Sequence, residues 1–138
     1  MDTNNTDKDI YRVLDANINR AREGLRVLED ASRFIFNRPA LTLKIRRNRH
    51  RLDAAVRQSY PQLIAARDTG SDEGRGFNEK KRGDLSGLVI ANFKRVEEAM
   101  RVLEEFSKLF SARTGKKFKK IRFDIYAAEK EFPGWKET

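Results

Sequence analysis

The chain has 138 residues, of which 38% are hydrophobic, and its 30 Lys and Arg residues against 21 Asp and Glu residues give a net charge of +9. This length suits one domain over residues 1–138 with its own core, while the absence of cysteine and a single histidine exclude disulfides and thiolate metal sites and argue against zinc. No apolar run reaches the roughly 20 residues of a membrane span and residues 1–9 do not form a signal peptide, so we expect a soluble cytoplasmic protein with anionic partners.

The first half of the chain predicts two helices. Apolar and small residues recur at three- and four-residue steps from about residue 9 to residue 37, which places them on one helical face. Pro39 ends this helix and opens the second, because proline is tolerated in a first helical turn. Pro61 is expected to kink or interrupt the second helix.

The second half predicts two more helices. One runs from residue 84 or 85 to residue 112, with Gly115 marking its end. The other runs from about residue 116 to residue 132 and is closed by Pro133 and Gly134. No strand-like alternation of useful length occurs, so the fold class is all-α.

A glycine-rich segment, residues 67–83, joins the two halves and contains four of the eight glycines. A connection this long without periodic structure is typical of a functional loop or of a mobile linker. Asp68 and Asp72 within it suit Mg²⁺ binding or proton acceptance, and glycines let a loop close over phosphates. The alternative is a solvated loop in which Asp and Gly only form turns.

The first and third helices carry one repeated motif. Residues 16–34 align with residues 91–109 at a constant offset of 75, and nine of the 19 aligned positions are identical. We therefore expect two duplicated αα-hairpins, residues 9–66 and 84–132, that form an antiparallel four-helix bundle-like domain with pseudo-twofold symmetry. The identical positions include Asn, Arg and Glu, although a duplicated scaffold needs only its hydrophobic residues.

These polar residues form the pattern Asn-x-x-Arg-x-x-Glu in each copy. The Asn and Arg fall on the apolar stripe, and the Glu lies at its edge, where it can pair with the Arg. An inward guanidinium is costly unless it is paired, so the pattern suits either a network that fixes hairpin packing or a phosphate-binding pocket near the symmetry axis. The candidate substrate-binding residues are Asn17, Arg20, Glu23, Asn92, Arg95 and Glu98.

The place of other residues on the helices predicts further roles. Arg46 and Arg122 match at an offset of 76, in the second helix of each half, where they reach the same pocket or flank it. Arg26 and Arg101 lie opposite the stripe beside Glu29 and Glu104 and are expected to form surface ion pairs. The predicted core includes Leu14, Leu25, Leu28, Met100, Leu103, Phe106 and Phe110.

From residue 11 to residue 131 the chain resembles a known family. The segments that carry the resemblance are residues 15–30, Ala65-Ala66-Arg67-Asp68 and residues 91–105. They look like the small helical domain often fused to the N-terminus of thiamine phosphate synthase, which also exists alone. That family is an alternative hydroxymethylpyrimidine-phosphate kinase of thiamine biosynthesis, whereas the synthase itself is a barrel that this short helical chain cannot form.

The resemblance implies transfer of the ATP γ-phosphate, with Mg²⁺, to 4-amino-5-hydroxymethyl-2-methylpyrimidine phosphate rather than to the free alcohol. It also implies a functional link to thiamine phosphate synthase. Asp68 and Asp72 are then candidates for metal or base duty, and Arg67 joins the substrate-binding set. Ser71-Asp72-Glu73-Gly74-Arg75 stands where the family pattern is Gly-Asp-Val-Gly-Thr, so Asp72 and Gly74 are kept and the final hydroxyl is lost.

Two other functions compete with the kinase. The chain could be a non-catalytic helical domain that serves the synthase by contact alone. Nucleic-acid binding ranks last because the repeated polar residues lie on the inward stripe, where they cannot follow a phosphate backbone. The sequence leaves open whether one chain holds the complete site or a homodimer completes it.

Overall fold

The computed structural model of the protein describes residues 3–77, 79 and 81–133, and these residues form five α-helices. The helices are α1 (Thr3–Asp30), α2 (Pro39–Val56), α3 (Tyr60–Ala66), α4 (Leu85–Ser107) and α5 (Ala112–Glu131). No strand occurs among the described residues, so the all-α prediction is confirmed. Gly134, expected beyond the end of the last helix, lies outside the described residues.

Both proline predictions in the first half are confirmed. A π-helical turn, Ala31–Ile35, follows α1, and Asn37 then adopts a left-handed φ of 55° before Pro39 opens α2. The expected interruption near Pro61 is a 3₁₀ turn at Arg57–Ser59, after which α3 begins. The missing N–H of Pro61 costs no hydrogen bond at the start of α3, where those groups have no intrahelical partner.

The predicted end of the third helix was wrong. The α4 helix ends at Ser107 rather than residue 112, and Ser111 caps α5 by accepting a hydrogen bond from the Thr114 N–H at 3.2 Å. Gly115 therefore lies inside α5 and ends no helix. A Cβ there would lie 3.3 Å from the Glu104 carbonyl oxygen, so this glycine allows the close approach of α5 to the end of α4.

The α1 and α4 helices pack against each other in antiparallel orientation. The rings of Tyr11 and Phe110 stack with centroids 4.9 Å apart, while Gly24 lies against Val96. A Cβ on Gly24 would come within 2.6 Å of Val96 Cγ2, so the absence of a side chain sets the spacing of the two helices. This crossing positions the repeated motifs next to each other.

The α2 helix packs on α1 and also on α5. Two exposed ion pairs join α2 to α5, Lys44 to Glu131 at 2.6 Å and Arg51 to Asp124 at 3.2 Å. Buried hydrophobic residues from all five helices form one core cluster. No helix among the described residues has the length and apolar character needed to cross a membrane.

The predicted core was correct at Leu14, Leu25, Leu28, Met100 and Leu103. It was wrong at Phe106 and Phe110, which are 36% and 42% exposed. Phe110 lies beyond the end of α4, in the turn to α5, so the helical periodicity that predicted its burial no longer applies.

Candidate functional site

The two asparagines of the repeated motif make the same local contact. Asn17 Nδ2 donates to the Val13 carbonyl and Asn92 Nδ2 donates to the Leu88 carbonyl, each at 2.9 Å. This contact leaves Asn17 Oδ1 free to accept a hydrogen bond from Arg20 Nη1 at 3.4 Å. Asn17 is buried, so it gives the guanidinium of Arg20 a fixed support.

The inward placement of Arg20 and Arg95 was wrong, because both side chains are exposed. The two helices approach so closely at Gly24 and Val96 that there is no room even for a Cβ on Gly24. The arginines lie on the solvent-exposed side of their helices. Neither forms an ion pair within the described part of the chain, so the expected pairs with Glu23 and Glu98 are not made.

Both arginines face one cavity of about 690 Å³, here called the arginine cavity. Lys94 and Arg95 reach it from α4, and Arg20 reaches it from α1. Arg75 and Arg82 reach it from the glycine-rich segment 67–83 between α3 and α4, here called the connecting segment. Its basic lining residues are Arg20, Arg75, Arg82, Lys94 and Arg95, and its acidic lining residues are Asp72, Glu79 and Glu98. Guanidinium groups suit phosphate oxygens because they donate two parallel hydrogen bonds.

A second cavity, of about 730 Å³, lies on the α3 side of α1 and is here called the aspartate cavity. Its acidic lining residues are Asp9, Asp15, Glu23, Asp68 and Asp72, and its basic ones are Arg12, Arg20 and Arg67. The two cavities share Asn17, Arg20 and Asp72. These three residues therefore form a common wall between a mainly basic space and a mainly acidic one.

The carboxylates of Asp68 and Asp72 organise the connecting segment. Asp68 Oδ1 accepts from the Ser71 N–H at 3.1 Å, and Asp72 Oδ1 accepts from the Gly74 N–H at 3.0 Å. The hydrogen bonds from Ser71 hold the pKa of Asp68 below its usual value. Both aspartates thus form the turns that the alternative interpretation described, while their side chains still line the aspartate cavity.

Arg67 fixes the start of this segment on α1. Its Nε and Nη2 atoms each donate to a different carboxylate oxygen of Asp15, both at 2.7 Å. These hydrogen bonds, which the Asp15 carboxylate accepts, raise the pKa of Arg67 above its ordinary value. Because Asp15 occupies one edge of the guanidinium, Arg67 serves first to position the segment that carries Asp68.

Arg46 and Arg122 line neither cavity. Arg46 Nε donates to Glu29 at 3.3 Å, and Arg122 donates to Glu104 through Nη2 at 3.0 Å. Glu29 and Glu104 are 1% and 3% exposed, so their placement on the surface was wrong. A buried carboxylate needs a partner cation, so Arg46 and Arg122 serve as partners of Glu29 and Glu104.

A model of the ThiD2 family matches residues 12–131, nearly the whole chain. The chain belongs to the ThiD2 family. It is 43% identical over 128 residues to a thiamine-phosphate synthase of Nostoc punctiforme (91% of this chain, 36% of that protein) and 41% identical over 133 residues to one of Rhodopirellula baltica (94% and 36%). The chain spans little more than a third of the length of these relatives, and no solved structure matches it.

The carboxylates of this ThiD2 chain determine whether it can bind the Mg²⁺ that the sequence analysis expects. Among the described residues no group of three or more His, Cys, Asp or Glu side chains is placed to hold a metal ion. Mg²⁺ in nucleotide sites uses one or two carboxylates and takes its other ligands from water and phosphates. Asp68 and Asp72, which face the same cavity, fit that smaller requirement.

Sequence reasoning missed several lining residues of this ThiD2 chain. Asp15 directly precedes the repeated motif, and Ile90 holds the corresponding position before the second copy. Arg75 and Arg82 come from the connecting segment, whose path has no periodicity to predict it. Lys94 occupies the position of Asn19 in the repeat, so a comparison restricted to identical residues passed over it.

Proposed function

We propose that this chain is an ATP-dependent kinase that phosphorylates 4-amino-5-hydroxymethyl-2-methylpyrimidine phosphate in cytoplasmic thiamine biosynthesis. The observation that carries the proposal is the pair of adjacent cavities with a common wall of Asn17, Arg20 and Asp72. A phosphoryl transfer needs two polyanions held side by side, with positive charge at the point where they meet. Relatives named thiamine-phosphate synthase support the placement in thiamine biosynthesis.

The chemistry of this reaction explains a preference for the monophosphate. An oxygen of the substrate's phosphate attacks the γ-phosphorus of ATP, the bond from that phosphorus to the β–γ bridging oxygen breaks, and ADP leaves. A phosphate monoester loses its second proton with a pKa of about 6, so the attacking oxygen is already an anion at neutral pH. The enzyme needs no general base, whereas an alcohol substrate would require one.

We assign the substrate's phosphate to the arginine cavity. Arg20 and Arg95 have no acidic partner in the described part of the chain, so their guanidinium groups are available to a ligand. An arginine that must pair with the existing phosphate also penalises the free alcohol, because that ligand leaves the cation unpaired.

We assign the phosphates of ATP to the side of the aspartate cavity, where Asp68 and Asp72 would hold Mg²⁺. When bound, Mg²⁺ neutralises charge on the transferring phosphoryl group. Since the attacking oxygen needs no base, metal binding is the role that we propose for both aspartates. Arg20, in the common wall, lies where it can contact both anions.

A coupled assay of ADP release with ATP, Mg²⁺ and the pyrimidine monophosphate tests the proposal, with the free alcohol as the control substrate. We expect turnover with the monophosphate and little with the alcohol. Equal turnover of both substrates would contradict the arginine assignment. An absence of ADP release with a correctly folded chain would reject kinase activity.

The second candidate is a non-catalytic helical domain that acts with thiamine-phosphate synthase. The turn-forming hydrogen bonds of Asp68 and Asp72 favour it, because they give both aspartates a structural role without any metal. It predicts no ATP turnover in the same assay, and a measurable effect of this chain on the synthase when the two proteins are mixed.

We also propose that the two halves of the chain are duplicated hairpins, related by a pseudo-twofold axis at the α1–α4 crossing. The matching contacts of Asn17 and Asn92, and of Glu29 and Glu104 with arginines of the following helix, are consistent with that origin.

A further inference from the structure

A third cavity, of about 550 Å³, lies where the end of α2, α3 and the turn between α4 and α5 meet α1; it is here called the end cavity. Its volume is in the range of small-molecule sites in proteins. The inner surface is apolar and is formed by core side chains. These apolar lining residues are Leu14, Ile18, Leu63 and Phe118.

Among the residues that the structure describes, the charged side chains of the end cavity are all positive. Arg57, Arg113 and Lys117 line it, and no described Asp or Glu does. None of these three cations forms an ion pair with any residue that the structure describes. The arginine cavity, in contrast, includes three acidic side chains, so the end cavity is the more uniformly cationic of the two.

One wall of the end cavity is aromatic. Tyr11 and Phe110 stack with an angle of 19° between their rings, and Phe110 is 42% exposed. The first turn of α5 lies at the same wall, where Ser111 and Thr114 line the cavity. The N-terminus of this 20-residue helix adds partial positive charge to that of the three cations.

We propose that the end cavity binds a flat aromatic or heteroaromatic compound that carries a phosphate group. The ring packs against the apolar floor and the Phe110 wall, and the phosphate lies among Arg57, Arg113 and Lys117. This site is separate from the proposed kinase site, because Leu14 and Ile18 face it whereas Asn17 and Arg20 face the other two cavities. It does not depend on the kinase proposal.

Calorimetric titration of the full chain with 1-naphthyl phosphate, without ATP or Mg²⁺, tests the proposal. Inorganic phosphate and 1-naphthol are the comparison ligands. We expect 1-naphthyl phosphate to bind at least about tenfold more tightly than either, because only this probe satisfies both the cations and the apolar surface. Equal affinity for inorganic phosphate would overturn the proposal, since charge alone would then account for binding.

Variants locate the site. Lys117→Gln and Arg113→Gln should each weaken 1-naphthyl phosphate about three- to tenfold. Phe110→Ala should weaken it while leaving the affinity for inorganic phosphate unchanged. Lys119→Gln is the matched control, because Lys119 is an exposed cation of α5 that does not line the cavity.

Two results would reject the site even if the probe binds. One is a loss of binding on Arg20→Ala with none on Lys117→Gln, which would place the probe in the arginine cavity. The other is a loss of pyrimidine-phosphate turnover on Lys117→Gln, which would make the end cavity part of the kinase site. A failed kinase assay with intact, Lys117-dependent naphthyl phosphate binding would leave this inference standing.

Discussion

Arg122 of α5 donates two hydrogen bonds to the same carboxylate oxygen of Glu104 on α4, from Nε at 3.3 Å and from Nη2 at 3.0 Å. Both side chains are buried, and Arg122 Nη1 also donates to the Tyr126 hydroxyl at 3.3 Å. Burial alone would raise the pKa of Glu104, but the hydrogen bonds and charge of Arg122 outweigh it and the net shift is downward. This pair fixes α4 against α5.

Removing one partner of this pair should destabilise the fold strongly. Arg122→Met leaves the buried Glu104 with only the half-exposed ammonium of Lys108, at 3.5 Å, so we expect a loss of about 3 kcal/mol in the free energy of unfolding. The measurement is urea denaturation near neutral pH. The double variant Arg122→Met/Glu104→Met should recover most of that loss, and a double variant no more stable than the single one would contradict this account.

Glu97 should make stability depend on pH in the opposite sense from a paired carboxylate. The pKa of Glu97 is raised from 4.5 to about 8. Burial is the main cause, and a hydrogen bond with the carboxyl of Glu129 is the second. Between about pH 4.5 and pH 8 the folded state binds more protons than the unfolded state, so the contribution of Glu97 to the free energy of unfolding falls as pH rises. Glu97→Gln should therefore raise the melting temperature most at pH 8 and above.

The control for that prediction is the same pair of proteins at pH 5, where Glu97 is protonated in the folded state. There the two melting temperatures should differ little, since glutamine resembles a protonated glutamate in shape. An advantage of Glu97→Gln that is equal at pH 5 and pH 8 would show that packing, rather than ionisation, is responsible.

Gly24 should be intolerant of even one methyl group. A Cβ would lie 2.6 Å from Cγ2 of Val96, which is fully buried and cannot move aside. We expect Gly24→Ala to cost about 1–3 kcal/mol in thermal or urea unfolding. Gly76→Ala is the control, because no heavy atom lies within 4 Å of a Cβ there.

Val96→Ala provides the rescue test for this contact. Alone it removes buried methyl groups and destabilises the core, but with Gly24→Ala it makes room for the new Cβ. The double variant should be more stable than the sum of the two single effects allows. Simple additivity would show that Gly24 and Val96 do not limit the spacing of α1 and α4.

The helices could be predicted from sequence because their signals are local. Pro39 was expected to open a helix and Pro61 to kink or interrupt one, and both predictions are confirmed. The prediction at Gly115 was wrong because a glycine can mark either a helix end or a close contact between helices. Here the hydroxyl of Ser111 caps α5, so the helix begins before Gly115. Propensity cannot distinguish those two uses.

The site was harder to predict, because it depends on how near the two repeated helices approach. Periodicity placed Arg20 and Arg95 on the apolar stripe, but both side chains are exposed to solvent when α1 and α4 pack together. The same periodicity placed Glu104 at the surface, since α5 and Arg122 cover it only in the folded chain. Tertiary contacts decide both cases.

Arg20 and Arg95 should be needed for turnover of the pyrimidine monophosphate. Each is an exposed cation that faces the arginine cavity without an acidic partner among the described residues, so we expect Arg20→Ala or Arg95→Ala to lower kcat/KM about 10²-fold. Arg26→Ala and Arg101→Ala are matched controls on the same helices. Both control arginines form exposed ion pairs, at 3.5 Å to Asp30 and 3.3 Å to Glu105, and line neither cavity.

Near-normal kinetics in Arg20→Ala and Arg95→Ala would remove both residues from the proposed site. Comparable losses in Arg26→Ala would point to a general effect of charge on ligand attraction. Kinetics at two salt concentrations separate these cases, because long-range attraction is screened by salt more strongly than a direct contact.

The pH dependence of the proposed kinase should report the substrate rather than a catalytic base. The attacking phosphate oxygen becomes an anion with a pKa of about 6, so kcat/KM should rise to a plateau above that pH. Asp72→Asn should lower the plateau and raise the Mg²⁺ concentration needed for half-maximal rate, because it removes a proposed metal ligand. It should leave the position of the rising limb unchanged. A limb that moves or disappears in Asp72→Asn would assign base duty to this residue and overturn the argument that the monophosphate supplies its own nucleophile.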